Sequence, residues 1–319
     1  MLRSPLEDLC VTRPKGRVSL GVELPFDKSF VAYVWFDALM NYLTSAGWPR
    51  EGYLSWWHEA EHLIGKDVLK THAVQWPCTL MALGEPLPRR ISVHGHWVDA
   101  RGFKMSKTAG NVVDPFVAVD RFGPSAVRFH LARHMRSGDS PLSDELLTRT
   151  FDELGDKLGN LILRVTAPAL RHNGGVPPTS VLHPNEMSLL QHLQTAVAIS
   201  FDELLELTSI PSGLERILRT VGQLNDYLTE TTPWQLLKPG QDEARAQSII
   251  YAVMDGLRLV LEALYPIMPI ACEVGLQSIG ASIPGSGHRF ASSRLVPGTP
   301  LQPTPPLFPR RGAQPQLVR

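Results

Sequence analysis

Lys104 and Lys107 stand three residues apart in Arg-Gly-Phe-Lys-Met-Ser-Lys-Thr-Ala-Gly-Asn (101–111), between Gly102 and Gly110. Each lysine is a compact charge on a flexible stem. Two of them on a glycine-flanked loop can follow a phosphate chain while negative charge shifts toward a leaving pyrophosphate. A solvated basic turn has the same composition. Asp67, next to Gly65-Lys66 at a strand-to-helix turn, can accept hydrogen bonds from sugar hydroxyls or cap its own helix. Gly65 and Gly95 allow close approach of backbone to a ligand. Asn160 and Arg164 are four apart and share one helix face, which by spacing alone is an ordinary exposed polar face.

The wording around the lysines is more specific. Lys-Met-Ser-Lys-Thr (104–108) resembles the KMSKS loop of class I aminoacyl-tRNA synthetases, with Thr108 for the final serine. Three segments precede it in order: Ala-Tyr-Val-Trp-Phe-Asp-Ala (32–38), Ile-Gly-Lys-Asp-Val-Leu-Lys-Thr-His-Ala-Val-Gln-Trp-Pro (64–77) and Val-His-Gly-His-Trp-Val (93–98). Together they resemble the methionyl-tRNA synthetase family, from Glu7 to the Pro-Leu-Phe-Pro-Arg of 306–310.

That resemblance implies ATP-dependent activation of methionine to methionyl-adenylate and its transfer to tRNA(Met), with Mg2+ carried on the phosphates. Trp35, Tyr42, Val68 and His72 are then the methionine pocket, with the Tyr42 hydroxyl offered to the sulfur; plain core packing is the other reading of Trp35 and Tyr42. Thr71 stands where the family often has an aromatic residue, and Leu39 where some members have proline. Asp67 would hold the ribose of ATP, and Gly65, His94 and Gly95 would line the adenosine. Lys107 would hold the triphosphate, seconded by Lys104. Asn160, Arg164 and Trp234 would read the anticodon, amide and guanidinium on base edges and indole in the stack.

One part of the family pattern is not found. Residues 1–30 resemble neither the HIGH motif nor the zinc-binding knuckle of the connective insertion, and His94-Gly95-His96 lies too near the lysine loop to replace the first. The chain is therefore expected to be a synthetase fragment lacking the N-terminal part, with a complementing half as a possible partner. A non-catalytic tRNA-binding module is the alternative.

The 319 residues suffice for two domains, 43% of them hydrophobic, and the formal net charge of +0 leaves nucleic-acid binding to local patches. Three widely spaced cysteines (Cys10, Cys78, Cys272) exclude a disulfide framework and any Cys-x-x-Cys zinc site, so no zinc is expected. No apolar run approaches the roughly 20 residues that cross a bilayer. With Glu7 and Asp8 near the start, the expected setting is cytoplasmic.

These residues need a scaffold. Apolar runs predict strands at 30–36, 61–64 and 91–98, separated by helices over 38–46, ending at Gly47, and over 67–83, kinked at Pro77. Asp37 is expected at the end of the first strand, where open α/β sheets place ligand contacts. Strand, helix, strand suits a parallel Rossmann-like sheet without its first strands. Beyond Pro115 the period becomes helical: 124–135, a long helix capped by Ser143 and running to Arg171, then 186–208, 213–231, 241–265 and 268–280. The expected fold class is α/β plus all-α: a remnant of the insertion at 1–30, the C-terminal half of a Rossmann-like domain at 31–142, a helical anticodon-binding bundle at 143–283, and a Pro-rich tail at 284–319.

Overall fold

The computed structural model describes residues 8–18, 20–106, 108–178, 182–206, 208–283 and 294–309. It divides into two compact units, Met1–His96 and Trp97–Arg319.

In the first unit, strand β1 (Thr12–Pro14) pairs antiparallel with β2 (Phe30–Ala32) over three residues. The strand expected over 30–36 stops there. Helix α1 (Val34–Ala46) begins at once, since the backbone of Tyr33 is extended and the Phe36 amide already donates to the Tyr33 carbonyl. Asp37 therefore lies in the first turn of a helix and not at a strand end. The cause is pairing: with β1 only three residues long, the apolar run beyond Ala32 has no ladder to join and folds as a helix. Gly47 closes α1 in the left-handed region (φ 104), as its position predicts.

A short helix, α2 (Leu54–Trp57), leads to β3 (Glu61–Gly65), which pairs parallel with β4 (Arg90–His94) in the register Glu61↔Arg90 to Gly65↔His94. The crossover between them is helical from Lys66 to Leu83 but changes pitch twice: a 3-10 turn (Lys66–Val68), a π turn (Thr71–Gln75), then α3 (Trp76–Leu83). The disturbance expected at Pro77 takes this form. Proline has no N–H for an ordinary helical bond, and the preceding Trp76 amide reaches back five residues to the Thr71 carbonyl. Leu39, Leu43, Trp57, Trp76 and Leu80 form the core of this unit. Two of its indoles are anchored by hydrogen bonds: the buried Trp57 Nε1 donates to the Pro86 carbonyl (2.8 Å) and the half-buried Trp48 Nε1 to Glu85 (2.8 Å).

The strand expected over 91–98 is two strands. After β4, Gly95 and His96 break the ladder, and β5 (Trp97–Val98) pairs parallel with β6 (Ser140–Pro141) in the second unit. Helix α4 (Pro115–His134) is capped by Asp114 and broken at Gly123 (φ 76, ψ 154), so that a new helix starts at Pro124 as the sequence suggests. The Ser143 cap is present, its Oγ accepting from the Leu146 amide at 3.3 Å. The long helix that follows is α5 (Asp144–Leu154) and α6 (Asn160–Asn173), joined by a π turn at Gly155–Gly159.

The bundle continues with α7 (Pro184–Leu205), α8 (Ile210–Thr231), the single turn α9 (Pro233–Leu236), α10 (Glu243–Leu264) and α11 (Pro269–Ser278). From Ser248 to Leu264 every side chain of α10 is buried, as befits a helix surrounded by α6, α7, α8 and α11. Along the tail, residues 294–309 dock: Leu295, Leu301 and Phe308 are buried, and Phe308 meets Phe151 edge to face.

Candidate functional site

In the first unit the predicted pocket residues converge. Val68 is half-buried and its carbonyl faces His72 Nδ1 at 3.0 Å. A carbonyl can only accept, so Nδ1 carries a proton, and in the neutral ring Nε2 accepts from the Tyr42 hydroxyl at 2.9 Å. While the ring is neutral, this bond directs the phenol proton to His72 rather than to a ligand sulfur. Trp35 stands edge-on to His72, ring centres 6.1 Å apart. The cluster also holds two residues that sequence reasoning missed. His62 lies against Tyr42, ring centres 4.2 Å apart and planes tilted by 41°, and accepts a hydrogen bond from Trp76 Nε1 at 3.1 Å. Burial, with the nearby His72 charge second, pulls the His62 pKa down to about 4, which suits a ring that must present a lone pair to an indole. One signal for it was available: His62 alternates with Ile64 on the buried side of β3, where a polar ring needs a partner.

Beside this cluster, Gly65 and His94 are register partners at the carboxyl ends of two parallel strands, the place where open α/β sheets bind ligands. The exposed Asp67 folds back over Gly65, and a Cβ on Gly65 would stand 2.6 Å from Asp67 Oδ1. The absent side chain at Gly65 leaves the Asp67 carboxylate room to lie there. Gly95 is buried, and its carbonyl lies 2.8 Å from His94 Nδ1. A depression of 430 Å³ lined by Asp37, Ala38, Met40, Asn41 and Thr44 lies on the other side of α1 from Trp35 and Tyr42.

The lysine loop belongs to the second unit. Lys107 lies outside the described residues; Lys104 is exposed and forms an isolated bridge with Val98. The loop is pinned by two residues not singled out in the sequence. Asp99 accepts from the Arg101 and Phe103 amides (2.9 and 3.0 Å) and from Asn111 Nδ2 (3.1 Å), and Asn111 Oδ1 accepts from the Ser106 amide (2.9 Å). These donors, Asn111 foremost, hold the Asp99 carboxyl down at about 2. The Asp-x-Arg-Gly spelling was the available clue, since aspartate commonly bonds the backbone two residues on.

Farther along the second unit, Arg164 and Trp234 meet. The guanidinium carbon lies 5.4 Å from the indole centre, Trp234 is 41% exposed, and Asn160 is exposed one turn before Arg164. Among the described residues no group of three or more His, Cys, Asp or Glu side chains is arranged to hold a metal ion. Among them, too, no helix is long and apolar enough to cross a membrane.

Residues 1–166 match the family described as class I tRNA synthetases (M). The chain belongs to that family. It is 35% identical over 316 residues to the methionine–tRNA ligase of Deinococcus radiodurans, covering 97% of this chain and 46% of the relative. It is 36% identical over 319 residues to that of Mycobacterium leprae, covering 96% and 58%. A probable mitochondrial methionine–tRNA ligase of Dictyostelium discoideum is 36% identical over 300 residues, covering 89% and 51%. The methionyl-tRNA synthetase of Mycobacterium tuberculosis, solved with methionyl-adenylate, superposes with a TM-score of 0.86 at 34% identity, over 96% of this chain and 61% of that one. The fold is thus a partial Rossmann-like domain followed by a helical domain, and the chain spans about half the length of the curated relatives it matches.

Proposed function

We propose that the chain is the C-terminal part of a methionine–tRNA ligase, which joins methionine and ATP into methionyl-adenylate and passes the methionyl group to tRNA(Met). The Tyr42–His72–Trp35 cluster, beside the strand ends at Gly65 and His94, carries this reading. A thioether gains from polarizable aromatic walls more than from a hydrogen bond, and with the His72 ring neutral the phenol proton is held by His72. Asp67 takes the ribose hydroxyls, and Gly65, His94 and Gly95 the adenosine. Methionine carboxylate attacks the α-phosphate and pyrophosphate leaves. No protein nucleophile is needed, so the work of the chain is positioning and charge stabilisation, by Lys107 and Lys104. Magnesium enters on the triphosphate, held by phosphate oxygens and water.

In the second unit, Asn160, Arg164 and Trp234 read the anticodon: polar groups meet base edges and the half-exposed indole stacks. Residues 1–30 are the end of the connective insertion, 31–142 catalytic, 143–283 the anticodon-binding bundle and 284–319 the tail. A cytoplasmic setting agrees with cysteines that are all free thiols.

Methionine-dependent ATP–pyrophosphate exchange tests the reading in the polypeptide that carries this chain. Lys104→Ala is expected to slow exchange about 10²–10³-fold, the usual effect of removing one transition-state donor. Exchange that ignores methionine refutes the proposal. No exchange, with binding of a CAU-loop RNA hairpin intact, establishes the tRNA-binding module instead.

The loop pin makes a second, milder prediction. Asn111→Ala removes the bonds to Asp99 and to the Ser106 amide. At about 1 kcal/mol for each of the two hydrogen bonds, the expected result is a roughly 30-fold loss in kcat/KM for ATP with the methionine KM unchanged. In the same variant the Asp99 carboxyl should titrate closer to the ordinary aspartate range by NMR.

A further inference from the structure

Arg164 is not a loose side chain. Its Nη1 donates to Asn225 Oδ1 at 3.0 Å, and its Nη2 donates to Thr229 Oγ1 at 3.0 Å. Thr229 Oγ1 in turn donates to the Asn225 carbonyl at 2.9 Å, and the Trp234 ring covers the guanidinium. The Asn225 amide has only one orientation that works. Its Nδ2 faces two carbonyls, Lys157 and Val221, both at 3.1 Å, which can only accept, while Oδ1 faces a guanidinium, which can only donate. The Lys157 carbonyl belongs to the π turn of Gly155–Gly159, directly before Asn160. One amide therefore ties the backbone of that turn, helix α8 and the Arg164 head together.

From this geometry we infer that Asn225 is a positioning residue for RNA recognition: it presets the Arg164 fork against Trp234, so that a single-stranded base meets an ordered donor set. The inference rests on the anticodon-reading role of Arg164 and names a residue that acts through it. Holding a long side chain in its bound geometry beforehand removes part of the ordering cost of association. Among the described residues Arg164 engages only its Nη1 and Nη2 groups, so part of its five-donor fork remains for a base edge.

A double-mutant cycle in the full chain tests this, read by fluorescence anisotropy with a short RNA hairpin bearing a CAU loop and with the same hairpin changed at one loop base. Asn225→Ala is expected to weaken CAU binding about 10-fold and to narrow the preference over the changed hairpin. In an Arg164→Ala background the same substitution should change binding by less than about two-fold, because its effect runs through the missing guanidinium. Equal losses in both backgrounds overturn the positioning role and leave the anticodon reading standing. If Arg164→Ala itself leaves binding and preference unaltered, the anticodon reading fails, and the inference with it. Should Asn225→Ala melt well below the parent chain, Thr229→Val, at an exposed position, carries the same cycle with the same expected outcomes.

Discussion

Lowering the pH from 6.5 to 4 is expected to destabilise each of the two units by about 3 kcal/mol through one buried histidine apiece. His62 in the first unit and His130 in the second are 5% and 1% exposed, and both are held at about 4. Burial is the main cause in each; the His72 charge adds to it at His62, and the His134 and Arg133 charges at His130. His130 Nδ1 lies 2.8 Å from Thr150 Oγ1, while its Nε2 is buried with no hydrogen-bond partner among the described residues. Below pH 6.5 the unfolded chain takes up protons that the native rings refuse, so stability falls as the pH drops through the window and levels off below about 4. Urea midpoints at pH 7 and 4.5 measure it, with tryptophan fluorescence reporting mainly on the first unit, which holds five of the seven tryptophans. His62→Phe should flatten the pH slope of the first unit and His130→Phe that of the second. Unchanged slopes in both variants refute the assignment.

Arg258→Ala is expected to cost about 3–5 kcal/mol, the usual consequence of stranding buried charge. Arg258 sits inside α10 between Asp255 (2.8 Å) and Glu262 (2.8 Å), three side chains at most 5% exposed. Removing the cation takes a shared ion-pair partner from two buried carboxylates in the packed centre of the bundle. The loss should also spread to the tail, because Asp255 Oδ1 accepts from the Leu295 amide at 3.1 Å and Tyr251 donates to the Leu295 carbonyl at 2.7 Å. Limited proteolysis after Leu295 should therefore speed up together with the fall in urea midpoint. Asp255→Asn, Arg258→Met and Glu262→Gln combined remove all three charges at similar volume, and most of the stability should return. If the triple variant is as unstable as Arg258→Ala, packing rather than stranded charge is the cause.

Much of the bundle was legible in the residues, because Leu147, Leu154, Leu158 and Leu161 repeat at a helical period that long-range packing merely completes. The pocket could be read from Trp35, Tyr42 and His72 through family wording, but the register of the first strand could not. Phe30–Phe36 is equally apolar on either side of Ala32, and only the three-residue length of β1 decides where the strand ends. Likewise, Ile91–Val98 reads as one strand although its two parts pair with partners 29 and 43 residues away, as the ladders Ile91↔His62 and Trp97↔Ser140 show. His62, Asp99 and Asn225 escaped for a related reason. Each is held by at least one hydrogen-bond partner distant in sequence (14, 12 and 61 residues away), and a lone polar residue carries no periodic signal.

Both π turns have a consequence for how this chain can vary over evolutionary time. A π turn is an α-helix holding one surplus residue, and one residue corresponds to about 100° of rotation. Deleting Ala73 would let Thr71–Gln75 relax to ordinary pitch while Trp76 keeps its side of the helix and its bond to His62. Deleting Asp156 would likewise leave Asn160 and Arg164 facing Asn225. The same deletion in the regular turns on either side would re-aim everything beyond it by about 100°, so length is freer to vary inside these two turns than in the helices around them.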